Sequence, residues 1–333
     1  MEPKPEQIAR DHGGNLDAAI AAHGGTLADW IDLSTGINPV PYPVPAIDAD
    51  VWAALPRAHD MARLLQAAQS AYGTPAPICA LAGAQGAIQA IPFLHPPGQA
   101  RVLAPTYNEH AAALRTGGWQ VEEVTGLEDL TGADLAILVN PNNPTGAAQD
   151  PDRLFGIARK TGLLVVDESF ADPTPALSLA PRLGEADNIL LLRSFGKFYG
   201  LAGLRLGFAI GPERTVARLR ELAGPWPVSG PALQVATAAL RDTDWQTETT
   251  ARLARDAARL DGITERAGLH LVGGTALFRT YHAMSAAALQ DHLARHCIWS
   301  RIFPYSRHWI RLGLPGTADH WTRLEAALAA PLR

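Results

Sequence analysis

Lysine is almost absent from this chain. Lys4, Lys160 and Lys197 are the only three in 333 residues, so most of the 28 basic side chains are arginine. Chemistry that needs a primary amine therefore has few candidates. Cysteine is scarcer still: Cys79 and Cys297 stand far apart with no Cys-x-x-Cys pair, which argues against a disulfide framework or a zinc site. An excess of positive charge is also missing. With 33 acidic residues and a formal net charge of −5, the chain carries no electrostatic footprint for nucleic acid. No run approaches ~18 uninterrupted apolar residues, so no segment is expected to span a membrane. The start, Met1-Glu2-Pro3-Lys4-Pro5-Glu6-Gln7, places acids where a secretion signal needs a basic start and an apolar run, and a cytoplasmic protein is expected. At 47% hydrophobic and 18% charged, the composition excludes collagen, disorder and coiled coil. The length suffices for two domains or one large α/β domain.

Short apolar runs alternate with amphipathic stretches through the middle of the chain. The segments 101–104, 135–139, 163–166, 189–192 and 206–210 read as buried strands, too short for helices and mostly carrying β-branched residues. Between them 108–115, 151–161 and 213–223 read as helices, with Pro151 in a first turn and Asp150 as its cap. This alternation predicts an α/β fold with a mostly parallel central sheet covered by helices on both faces, its ligand beyond the carboxyl ends of the strands. Two Gly/Pro-rich breaks divide the chain. Residues 1–45 are expected to be a segment joining a small α+β domain at 225–333, and 46–224 to form the large domain. Beyond the second break, helical stretches (especially 232–267) and strands near 271–281 and 309–312 are expected.

The chemistry concentrates after the strands. Lys197 lies in a Gly-rich loop, Ser194-Phe195-Gly196-Lys197, with Arg205 eight residues on. A desolvated lysine beside another cation has the depressed pKa that imine formation with an aldehyde requires. Ser194 and Arg205 suit a phosphate, as hydroxyl donor and guanidinium fork. An isolated Ser-x-x-Lys is usually a strand-end loop, but this one has company. Asp167, at the end of an apolar run, can keep a pyridine nitrogen protonated so that a cofactor ring acts as an electron sink. Asn143, in Asn140-Pro141-Asn142-Asn143-Pro144-Thr145-Gly146, can donate to a phenolic oxygen. Gly83-Ala84-Gln85-Gly86 is like a phosphate cradle before an apolar helix at 87–94. Tyr107, directly after a strand, can stack on a heteroaromatic ring or simply pack.

Asn-Pro-x-Asn-Pro-Thr-Gly, Asp-Glu-x-Phe and Ser-Phe-x-Lys-x-x-Gly-x-x-Gly-x-Arg-x-Gly, in that order and spacing, resemble the class I/II aminotransferases among the fold type I pyridoxal-phosphate enzymes. The resemblance covers essentially the whole chain. It implies pyridoxal 5'-phosphate as cofactor, with Lys197 as the Schiff-base lysine and Asp167 opposite the pyridine nitrogen. Asn143 would meet the ring oxygen and Tyr107 the ring face, while Ser194, Arg205 and Gly83, Ala84 and Gln85 hold the phosphate. It also implies a homodimer.

Within that group, His12-Gly13-Gly14-Asn15 and Asp32-Leu33-Ser34-Thr35-Gly36-Ile37-Asn38-Pro39 are most similar to the threonine-phosphate decarboxylases of cobalamin biosynthesis. That resemblance implies a small phosphorylated amino acid as substrate, with His12, Ile37, Asn38, Arg301 and Arg311 as candidate binding residues. Arg311 is the candidate for a carboxylate and Arg301 for the second anion; either arginine can equally be a surface charge. Three positions depart from the group's pattern: Phe170 and Leu55 where tyrosines are common, and Ser229 where an asparagine is. His292 and His296 have helical i,i+4 spacing, but without a third ligand no metal is assigned. Two alternatives stay open. One is an aminotransferase acting on histidinol phosphate or another amino acid; the other is a cofactor-binding pathway subunit without turnover.

Overall fold

The computed structural model describes residues 12–331; the acidic start at 1–7, with Lys4, lies outside the described residues. The first helix, Leu16–His23, is capped by Asn15, whose side chain accepts from the Ala18 N–H at 3.2 Å. Strand β1 (Ile31–Asp32) follows. The main sheet then takes β2 (Ile78–Leu81), β3 (Gln99–Leu103), β4 (Gln120–Val124), β5 (Leu135–Val139), β6 (Leu163–Asp167), β7 (Ile189–Ser194) and β8 (Gly207–Ile210). After three long helices come β9 (His270–Thr275), β10 (Phe278–His282), β11 (Ile298–Trp299), β12 (Arg301–Phe303) and β13 (Ser306–Gly313).

The main sheet runs in the order β2-β8-β7-β6-β5-β3-β4. Its pairs are parallel except at β8, which is antiparallel to both neighbours. The expected α/β architecture with a mostly parallel sheet is therefore present. Every residue of β5 and β6 is buried. Leu135 and Ile137 enter one hydrophobic cluster, while Ala136 and Leu138 enter the other. Burial on both faces explains why these strands read as unbroken apolar runs.

Two strands of the main sheet escaped the sequence reading, for opposite reasons. β4 is an edge strand whose Gln120, Glu122 and Glu123 are exposed, so it has no apolar run. β2 is fully buried but only four residues long and follows two prolines, Pro75 and Pro77. The cradle expected before an apolar helix at 87–94 is instead the first turn of a helix, Gly83–Ala90. That helix stops early because Pro92 brings no N–H to continue it, leaving a 3-10 turn at Ile91–Phe93. The stretch expected as helical over 232–267 is two helices, Gly230–Arg241 and Thr243–Arg266. Asp242 divides them, turning its carboxylate to the Trp245 N–H at 3.0 Å.

The remaining strands form two smaller sheets. β12-β13-β10-β9 is antiparallel, and β1 pairs in parallel with β11, Ile31 opposite Ile298. The N-terminal segment is thus built into chain from the far end of the sequence. It also runs over the loop after β7, where the Asn38 N–H donates to the Lys197 carbonyl and the Tyr42 N–H to that of Tyr199, both at 2.9 Å. Gly230–Arg241 packs on the helix Ala58–Tyr72 of the central part.

Candidate active site

Because β3, β5, β6 and β7 are parallel, their carboxyl ends open on one edge of the sheet. Tyr107 follows β3, Asn143 follows β5, Asp167 ends β6, and Lys197 lies just beyond β7. Four segments far apart in sequence therefore meet where an open α/β sheet offers a crevice. A cavity of about 600 Å3 lies there, lined among others by Lys197, Tyr107, Asn143, Phe170, Arg301 and Arg311.

Lys197 sits in a single helical turn, Phe195–Phe198, pinned by the buried rings of Phe195 and Phe198. Burial lowers its pKa to about 8, and the nearby charges of Arg311 and Arg205 push the same way against the opposing pull of Asp167. A sizeable fraction of neutral amine at physiological pH is the state a nucleophile needs.

Asp167 is 3% exposed. Burial pushes its carboxyl up, but hydrogen bonds outweigh it and leave the pKa below the ordinary value. His110 Nε2 lies 2.9 Å from Oδ2, while the Ser169 hydroxyl and N–H donate to Oδ1 at 2.5 and 2.9 Å. His110 is a residue the sequence reading missed. It lies in the helix Glu109–Thr116, and only the sheet geometry brings that turn against the end of β6.

Arg311, on β13, is 6% exposed. Its Nη1 donates to the Asn143 side-chain oxygen and its Nη2 to the Ser34 carbonyl, each at 2.5 Å, and its guanidinium lies 5.1 Å from the centre of the Phe278 ring. Burial and the repulsion of Arg301 lower its pKa to about 10, so it stays charged at neutral pH. Its buried Nε has no hydrogen-bond partner among the described residues. With its oxygen engaged by Arg311, Asn143 has its NH2 group left to donate.

A second group of residues gathers at the start of the helix Gly83–Ala90. Arg205 is in the left-handed region at φ 54°, and a Cβ on Gly83 would lie 2.8 Å from its Nη2. A Cβ on Gly207 would lie 2.2 Å from the Ala84 nitrogen. These glycines let the loop after β7 close onto a helix N-terminus, with Ser194 at the end of β7 paired with Gly207. Backbone N–H groups, a hydroxyl and a guanidinium in this region could hold a phosphate. The Gln85 side chain faces elsewhere: its NH2 donates to Glu109 at 3.0 Å and its oxygen accepts from the Tyr107 hydroxyl at 3.3 Å.

Not every expected residue meets the cavity. His12 lines it, but Ile37 and Asn38 do not, nor do Asp167, Ser194, Arg205, Gly83, Ala84 and Gln85. For Asn38 the reason is plain: its NH2 donates to the Phe198 carbonyl at 2.8 Å, while its oxygen accepts from Arg252 at 2.7 Å and the Val40 N–H at 3.1 Å. These bonds make its side chain a tie that holds the lysine loop in place. Ile37 is half-buried outside the cavity wall. Arg301, on β12, lines the cavity with its guanidinium 5.4 Å from the Phe303 ring centre. Phe170 packs edge-on against Phe278 at 5.0 Å, an apolar wall at a position where tyrosine was expected to be common. His292 gives its Nε2 to the Ala327 carbonyl at 2.8 Å, so its spacing to His296 is structural. Among the described residues no group of three or more metal-ligating side chains occurs.

An amine of lowered pKa, a buried carboxylate at the strand end and a cation-flanked helix start together describe a site for a phosphorylated aromatic aldehyde. The model of the class I and II aminotransferases matches residues 46–328, and the chain belongs to this family. Its cofactor, pyridoxal 5'-phosphate, fits these residues. Threonine-phosphate decarboxylases are among the most similar relatives. That of Pseudomonas aeruginosa is 43% identical over 96% of this chain and 97% of its own, and that of Sinorhizobium sp 42% over the same shares. A histidinol-phosphate aminotransferase from Limosilactobacillus fermentum is 31% identical over 71% of this chain and 70% of its own. Among solved structures, histidinol-phosphate aminotransferase from Sinorhizobium meliloti in complex with pyridoxal-5'-phosphate superposes with a TM-score of 0.82 at 23% identity, covering 94% of this chain and 92% of that one.

Proposed function

We propose that the chain is a pyridoxal-phosphate-dependent decarboxylase of O-phospho-L-threonine, leaving carbon dioxide and (R)-1-amino-2-propanol O-phosphate, a step of cobalamin biosynthesis. The observation that carries the substrate is the identity of 42–43%, over nearly the whole chain, to proteins named for this reaction. Residues 46–224 carry the cofactor, and 1–45 with 225–333 supply the rim of the cavity.

When bound, the cofactor supplies an electron sink for the bond broken at the α-carbon. Asp167 would hold a proton at the pyridine nitrogen, and Ser194, Arg205 and the Gly83–Gln85 turn would hold the phosphate. Asn143 would donate its amide to the ring oxygen, and Tyr107 would pack against the ring. Lys197 Nζ, neutral in part at physiological pH, takes a proton from the substrate ammonium group; protonated, it returns one to the α-carbon where the carboxylate has left. His12 and Arg301 bind the substrate phosphate, and Arg311 the carboxylate. Which bond of the α-carbon breaks would be set by how these residues hold the substrate. Anchoring it by its phosphate would favour loss of the carboxylate, whereas exposing its C–H bond to Lys197 would give transamination.

A second reading, an aminotransferase, is favoured by the relatives and structures named for histidinol phosphate. Purified, cofactor-loaded protein given O-phospho-L-threonine separates the two. Carbon dioxide and aminopropanol phosphate without added keto acid support the decarboxylase; glutamate formed only with 2-oxoglutarate supports the aminotransferase.

A homodimer in the cytoplasm completes the reading. Leu55 lines a surface hollow of about 1110 Å3 between Ala49–Ala53, Ala58–Tyr72 and Gly230–Arg241, and Leu55, Trp52 and Val44 are exposed apolar side chains at or beside it in the chain. Such a patch suits self-association. No helix among the described residues is long and apolar enough to cross a membrane. Light scattering gives the assembly directly, and Trp52→Glu should shift it toward monomer.

A further inference from the structure

The cavity mouth is flanked by a carboxylate that the proposed reaction does not use. Glu109 is 4% exposed and occupies the first position of the helix Glu109–Thr116, where the macrodipole favours negative charge. Its Oε2 accepts from Gln85, and its Oε1 lies 3.1 Å from Nε2 of His12. His12 belongs to a strap of N-terminal chain seated by two glycines. The Gly14 N–H donates to Ser34 Oγ at 2.7 Å, and a Cβ on Gly13 would lie 2.4 Å from the Ser34 carbonyl oxygen. Ser34 is itself fixed, its hydroxyl donating to Asp32 at 2.6 Å and its carbonyl accepting from Arg311. The strap therefore runs from the residue that holds Arg311 to the carboxylate of Glu109, and both His12 and Gly13 line the cavity.

We propose that Glu109 is a positioning residue that determines specificity through His12: its carboxylate draws the imidazole to the cavity rim, so that the strap presents a donor to the phosphate of a phosphorylated amino acid. The inference rests on the substrate class proposed above. A buried carboxylate strongly favours a structure that keeps it paired, and this one is paired with the N-terminal strap. With Nε2 beside Glu109, an imidazolium still carries a second N–H, at Nδ1, that can donate to a ligand.

The test uses holoenzyme carrying Glu109→Gln, His12→Ala or both, assayed with O-phospho-L-threonine. Glutamine keeps an acceptor for Gln85 while removing the charge that faces His12. Each single change should raise KM about tenfold with kcat within about twofold. The double variant should do no worse than either single one, as residues acting in series require. Cofactor affinity, read by absorbance titration, should hold, and hydrogen exchange at the Gly14 amide should quicken in Glu109→Gln. KM effects that multiply, a weakened cofactor with KM unmoved, or exchange at Gly14 as slow as in the unaltered protein would each overturn the inference. Unaltered protein that forms no product from O-phospho-L-threonine would instead defeat the proposed substrate. The exchange comparison would then still decide whether Glu109 seats the strap.

Discussion

The floor and the rim of the cavity are built in different ways. On the floor, Asn143 and Lys197 stand just beyond the ends of buried parallel strands, and the buried Asp167 that supports them ends another, so the main sheet sets their relative positions. The rim takes His12 from the N-terminal strap and Arg301 and Arg311 from the C-terminal sheet, joined through Ser34, Glu109 and Asn143. Strand ends in one sheet are a rigid frame, and they suit chemistry common to a whole family. A rim assembled from both ends of the chain can be altered without disturbing that frame, which suits the choice of substrate and of the bond that breaks.

If this division holds, floor changes should remove the reaction and rim changes should mainly weaken binding. Lys197→Ala is expected to have the largest effect, a loss of about 10^4-fold in turnover together with the borohydride-reducible visible chromophore. A chromophore retained and reducible onto Lys160 would refute the assignment. Asp167→Asn should lower kcat by about 10^2–10^3-fold, the scale of a lost charge at a developing centre, with a smaller change in KM. Steady-state kinetics that reverse this split would move Asp167 out of the floor.

On the rim, Arg311→Met should raise KM about 10- to 100-fold, since hydrogen bonds to charged groups contribute about 1.5–3 kcal/mol. An equal fall in kcat would place Arg311 in the reacting geometry rather than in binding alone. The floor also leaves a mark on stability. In cofactor-free protein, Lys197 titrates near 8 against 10.5 for an ordinary lysine. Between these values the unfolded chain binds the extra proton, so stability should rise with pH across that window and level off above it. Urea midpoints at pH 7.5 and 10, compared with Lys197→Met, would reveal the difference. The smallest catalytic effect is expected for Asn38→Ala. It should cost about 1–3 kcal/mol of stability by stranding the Phe198 carbonyl, with KM shifted less than about twofold. A large KM effect would return Asn38 to the binding site.

Legibility followed the same line. Lys197, Asp167 and Asn143 could be singled out because each follows an apolar run and all three occur together, although each alone has an ordinary structural use. Helical stretches over 232–267 were legible, but the break at Asp242 was not, because a single cap residue interrupts a continuous Ala/Leu/Arg composition. The loop-holding bonds of Asn38 were not legible, because a polar residue near a site can as well hold a loop as touch a ligand. His110 and Glu109 adjoin Tyr107 in the chain, yet nothing in their spacing reports that one faces Asp167 and the other His12.

By itself the sequence determined the α/β alternation, the scarcity of lysine that singles out Lys197, and the order of the strand-end residues. Those follow from local burial and from the chemistry of single side chains. Only the tertiary structure decided which partners set their charge: His110 and Ser169 on Asp167, Arg205 and Arg311 near Lys197, Glu109 beside His12. Charge and desolvation act through space over a few ångströms, and which residues come that close is decided by how distant parts of the chain pack together.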